Sequence, residues 1–127
     1  MVETLKNIIN YYKNNVKQTP NLQIIEKKFC NEVIIFPETD LTLYFSTFKN
    51  SRLTNIKFIN GNFGSSFFEG CFLENCVFER TNLQSIEFEN CTLKNCLLIN
   101  CNLNDSNFTE TIFDECQFQG QGALGEA

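Results

Sequence analysis

The sequence has no histidine and no tryptophan, and only one methionine and two prolines in 127 residues. Without histidine the chain lacks the side chain that most often serves as general base or metal ligand near neutral pH. No apolar run approaches the ~18 residues of a membrane-spanning helix, so no membrane partner is expected. The first ten residues, MVETLKNIIN, lack a basic stretch ahead of an apolar one, so no secretory leader is expected either. Basic residues are in deficit, 10 Lys and Arg against 15 Asp and Glu. That balance argues against direct binding to a nucleic-acid backbone. Seven cysteines without an export signal read as reduced thiols of a cytoplasmic protein. The apolar share of 43% is that of a globular chain, and the length is that of one domain.

The order of the residues is more informative than their number. From Leu43 through Phe48, Leu53, Phe58 and Phe63 to Phe113 and Phe118, every fifth residue is Leu or Phe, sixteen sites in unbroken phase. A helix repeats every 3.6 residues and a strand every two, so neither alone holds this pattern on one face. Two positions earlier runs a register of Ser, Cys, Thr and Gly, from Ser46 to Cys116, broken only by Ile56 and Ile86 after an initial Leu41. In an extended segment positions i−2 and i point the same way, so a large and a small side chain share the interior. Two positions after the large residue, Asn recurs at Asn50, Asn55, Asn60, Asn75, Asn90, Asn95 and Asn100. Asn suits a corner of the chain.

The triplets GNF at 61–63, TNL at 81–83, CNL at 101–103 and SNF at 106–108 resemble the pentapeptide-repeat family. The resemblance spans residues 41–118. It implies an all-β fold, a right-handed quadrilateral β-helix with four pentapeptides per coil. Sixteen repeats then give about four coils and a tower ~19 Å tall. The chain departs from the family consensus by often replacing Asp or Asn at i−1 and by using Cys where Ala is usual. Three segments are expected: a capping segment at 1–40, the β-helix at 41–118, and a Gly-rich tail at 119–127. In the first, Val2, Leu5, Ile8, Ile9, Tyr12 and Val16 follow helical spacing up to Pro20. This helix is expected to cap the first coil and to lie along an outer apolar stripe.

Stacking residues 20 apart assigns the outer faces. Outside the Phe48, Phe68, Phe88 and Phe108 ladder lie Glu69, Glu87 and Glu89, with Glu110 at the corner. Outside Phe58, Phe78, Leu98 and Phe118 lie Ile59, Val77, Leu97 and Ile99. An apolar stripe on a soluble protein calls for a cover or a partner, and docking or dimerisation is expected there. Cys71 stacks on Cys91, and Cys76 on Cys96 and Cys116. Their five-residue spacing follows the repeat and differs from the closed loop of a zinc site, so the thiols read as filler, with no metal and no cofactor. Stacked in register they are also not expected to form disulfides. With no histidine to activate a nucleophile, no enzyme is expected.

Residues 41–127 hold ten acidic and five basic residues, so the whole net charge of −5 belongs to the repeat. The function expected is a non-catalytic protein-interaction module that presents an acidic face to a protein partner. The resemblance implies an alternative, because some pentapeptide-repeat proteins imitate the charge of duplex DNA. Such proteins inhibit or protect a DNA-binding enzyme, gyrase or a nuclease, by steering into its basic groove. A third reading is a structural unit that self-associates through its coil ends as a closed homodimer.

Overall fold

A five-residue repeat wraps around a core only if the chain bends at every fifth residue, and the backbone does so. In the computed structural model, which describes residues 3–15, 22–38 and 40–120, every fifth residue from Asn50 to Gly120 has φ between 48° and 90°. This left-handed conformation costs most L-residues ~1–2 kcal/mol, and Asn and Gly least. Recurrent Asn at i+2 is therefore the corner-forming signal. Arg80, Glu110 and Glu115 occupy the same corners with φ of 48°, 49° and 55°.

The segments between corners are short parallel strands. The first coil contains β1 (Gln23–Ile25) and β2 (Lys28–Ile35). The second contains β3 (Thr47–Lys49) and β4 (Arg52–Ile59). The third contains β5 (Phe67–Glu69), β6 (Phe72–Glu74) and β7 (Val77–Glu79). The fourth contains β8 (Glu87–Glu89), β9 (Thr92–Lys94) and β10 (Leu97–Ile99). The fifth contains β11 (Asn107–Thr109), β12 (Ile112–Asp114) and β13 (Gln117–Gln119). One ladder runs β1-β3-β5-β8-β11, and the second and third faces form an eight-stranded sheet joined at β4. On the fourth face only single bridges link Asn62, Asn82 and Asn102. The first face therefore lies across the square from the third.

The three-residue strands of the first four coils bury their central residue, and those of the fifth bury it in part. Phe48, Phe68, Phe88 and Phe108 stack in register with ring centroids 4.5, 4.7 and 5.4 Å apart. The small residues at i−2 lie under the corners, where their side chains bond backbone carbonyls. Ser66 Oγ donates to Leu43 O at 2.8 Å, and Cys91 Sγ donates to Phe68 O at 3.3 Å.

The solenoid has about five turns, one more than the sixteen repeats supply. The extra turn comes from the segment expected to be a cap, which divides into a helix and a coil. Ile24, Phe29 and Ile34 keep the five-residue step and stack above Phe48, Leu53 and Phe58. Between this coil and the next the spacing is 24 residues, against 20 elsewhere. Leu41, expected inside, falls in this longer connection and is exposed.

The helix α1 (Leu5–Asn15) sits over the first coil. Thr4 Oγ1 accepts from the Asn7 amide at 3.1 Å, an N-terminal cap. Leu5 and Ile9 are buried in the cluster that contains Ile24 and Phe29. The backbone of α1 approaches β2, while Val33 and Ile35 on the outer stripe remain exposed. The expectation that the helix covers that stripe is thus overturned. Val2, Val16 and Pro20, and the tail beyond Gly120, lie outside the described residues.

Candidate interaction faces

Alternation along each three-residue strand leaves the first and third side chains outside. On the first face the register places Lys49, Glu69, Glu89 and Thr109 in one column, and Phe67, Glu87 and Asn107 in the other. Glu69 and Glu89 therefore sit on adjacent strands ~4.8 Å apart, with Glu87 beside Glu89 on the same strand. Glu110 lies at the corner toward the second face, next to the Asn90 corner above it. The structure brings three of the four expected carboxylates onto one wall and the fourth to its edge.

Their electrostatics differ from those of Glu74, Glu79 and Asp40. Glu74 is 3.8 Å from Arg52, Glu79 is 3.5 Å from Lys57 and 2.6 Å from Arg80, and Asp40 is 2.7 Å from Lys13. Glu69, Glu87, Glu89 and Glu110 form no ion pair among the described residues. Downstream of Phe58 the chain carries ten acidic residues and, as cations, only Arg80 and Lys94. The tower is polarised along its axis, basic toward α1 and acidic toward β11–β13.

The third face carries the apolar stripe. Ile59, Val77, Leu97 and Ile99 are all half-buried on its outside. Two residues missed at the sequence level, Val33 and Ile35, extend it upward with 54% and 64% exposure. The available signal was the five-residue step of Ile24, Phe29 and Ile34, hidden by the shift in phase that follows.

Six of the seven thiols are inward and hydrogen-bonded, whereas Cys30 is exposed on β2. Cys76, Cys96 and Cys101 each donate to a carbonyl of the coil above, at 3.4, 3.4 and 3.1 Å. Burial pushes the Cys101 and Cys116 thiols above their ordinary pKa, which disfavours the thiolate that a nucleophile or metal ligand requires. All seven cysteines are free. A cleft of about 580 Å³ lies between α1 and β1 and includes Glu3, Tyr11 and Lys27.

The family model described as the SV2A/B/C luminal domain matches residues 27–119. No curated protein matches the chain. Among solved structures, two trypsin-treated forms of QnrB1, a plasmid-mediated fluoroquinolone resistance protein, are similar in part. One is 14% identical with a TM-score of 0.28, over 72% of this chain and 47% of its own. The other is 12% identical with a TM-score of 0.28, over 78% of this chain and 55% of its own. The chain thus spans about half the length of these structures.

Proposed function

The chain belongs to the SV2A/B/C luminal-domain family, and we propose from its outer faces that it is a non-catalytic protein-interaction module. The partner is a protein with a basic surface, held by the wall of Glu69, Glu87, Glu89 and Glu110. One observation supports this most directly: these four carboxylates are uncompensated on one wall and its edge, whereas Glu74, Glu79 and Asp40 have cations of their own. Rigid, unpaired charge of one sign steers association and costs no side-chain pairing to expose. The seven free thiols support a reducing, cytoplasmic setting, although the family is described from luminal domains.

The experiment is capture of partners from the source cell on the immobilised chain, eluted along a salt ramp. Partners held by the wall elute at moderate salt and are lost with the combined E69K, E87K, E89K and E110K variant. Retention by that variant rules the wall out. The DNA-mimic form of this reading predicts further that duplex DNA displaces the captured partner. It also predicts that the chain inhibits or protects a gyrase or nuclease. Partners that ignore competing DNA exclude this form and leave the broader one standing.

A further inference from the structure

The third face repays a closer reading, row by row. In the first coil its two outward residues are Val33 and Ile35, and in the fourth they are Leu97 and Ile99. The two rows between each carry one charge, Lys57 beside Ile59 and Glu79 beside Val77. Two fully apolar rows thus flank two mixed rows of opposite sign. Glu79 pairs within the chain with Lys57 at 3.5 Å and with Arg80, on the edge of the face, at 2.6 Å. Asn55, Asn75 and Asn95 line one edge of the face, and Asn60, Arg80 and Asn100 the other. A largely apolar face with polar edges matches the polar rim of an interface.

The arrangement also indicates what covers it. An isologous contact requires a patch that complements itself. The first face, with its unpaired carboxylates, repels its own copy, and the fourth is built on asparagine. The first four rows of the third face carry no net charge and read alike from either end, and a fifth row of Gln117 and Gln119 extends the face below them. Charge along the tower then selects the orientation. Residues up to Lys57 contain eight basic and five acidic residues, whereas those beyond contain two basic and ten acidic. Two towers side by side gain when the basic half of one lies along the acidic half of the other.

We propose that a second copy of this chain docks on the third face, antiparallel, with Val33 and Ile35 of each copy against Leu97 and Ile99 of the other. Four rows span ~19 Å, a small interface at the weak end of the range, so the dimer is concentration-dependent. Because the first face lies on the opposite side of the square, the dimer presents two acidic walls outward, as a bivalent module. This inference does not depend on the acidic-wall reading.

Sedimentation equilibrium of the full chain across ~1 μM to ~1 mM provides the test, over the range expected of a weak interface. The average mass should climb from one chain to two. Leu97→Asp should weaken association at least tenfold while far-UV circular dichroism stays unchanged, since the side chain points outward. Ile35→Lys and Ile99→Asp should each be monomeric alone and associate when mixed, because only antiparallel docking sets Lys against Asp. A wild-type monomer throughout overturns the proposal. So does a mixture that stays monomeric, or an association that ignores all three variants and depends on the open coil end. Partner capture by the monomeric Leu97→Asp variant still reports on the acidic wall, so the two readings fail separately.

Discussion

Glu115 holds a left-handed corner, with φ of 55°, on the exposed surface of the last coil. Its side chain forms no ion pair among the described residues, so the conformational cost is not offset there. Asn at the same place fits this backbone, as it does at Asn55, Asn75 and Asn95 directly above. Glu115→Asn is therefore expected to stabilise the fold by ~0.5–1 kcal/mol, read as a higher urea midpoint with unchanged slope. A lower midpoint would mean that the Glu115 side chain makes a contact worth more than the strain. The small register provides a second residue-scale expectation. Cys96 Sγ donates to Leu73 O at 3.4 Å from a buried site, and Ser46, Ser51 and Ser66 occupy equivalent sites higher up. Cys96→Ser keeps both volume and donor and should change stability by less than ~1 kcal/mol. Cys96→Val adds bulk under a corner, loses the donor, and should cost ~1–3 kcal/mol. Equal effects in chemical melts would show that the site discriminates neither size nor hydrogen bonding.

At the scale of elements, the helix is attached by charges that the repeat would normally exclude. Lys27 and Glu32 stand two residues before Phe29 and Ile34, where the repeat elsewhere places Ser, Thr or Cys. On the terminal coil that register faces α1, and Glu32 accepts the Leu5 and Lys6 amides at 2.8 Å each. These amides have no partner inside the helix, and a carboxylate at this end also favours the helix dipole. Glu32→Ala should destabilise α1 by ~1–2 kcal/mol, seen as loss of hydrogen-exchange protection in α1 with the strands unaffected. At the other end Lys13 binds Asp40. Burial alone would raise the Asp40 carboxyl, but hydrogen bonds from Lys13 and Thr42 outweigh it and hold its pKa below the ordinary value. A depressed folded pKa means stability present above the unfolded value, ~3.9, and lost as pH falls through the folded one. Docking of α1 should therefore weaken below about pH 4, and Asp40→Asn should remove that step. The same elements show what the sequence made legible. Every face of the second to fifth coils follows from the unbroken phase between Leu43 and Phe118, including the columns that hold Glu69, Glu89 and Leu97. The first coil was not legible. Four additional residues in the connection after Ile34 shift the phase, and Lys27 and Glu32 break the small-residue signature that would have revealed it. Pairing is equally invisible in composition, since Glu79 and Glu89 look alike until the corners place Arg80 and Lys57 around only one of them.

For the whole molecule, the two ends are unequal. The N-terminal opening is closed by Leu5 and Ile9, while Phe108, Phe113 and Phe118 at the other end remain only partly buried. A solenoid is held by contacts between neighbouring coils, so a coil with one neighbour opens more readily than one with two. Amides of the fifth coil, such as Asn107, Ile112 and Gln117, bond carbonyls of the fourth at 2.9, 2.9 and 3.0 Å. Nothing among the described residues stacks below them. Their exchange should therefore occur through local opening at a free energy well below that of Phe67 and Phe72, whose coil is sandwiched on both sides. Phe118→Ala sharpens the test. It removes a half-buried ring that packs on Phe113 with centroids 5.6 Å apart. The cost should fall under the ~3–5 kcal/mol of a fully buried Phe and lie almost entirely in the exchange of the fifth coil. Phe68→Ala, in the middle of the aromatic ladder, should instead lower protection in every coil, because its ring packs on both Phe48 and Phe88. Uniform protection across all five coils in dilute solution would show that the lower end is covered and that the tower unfolds as one cooperative unit.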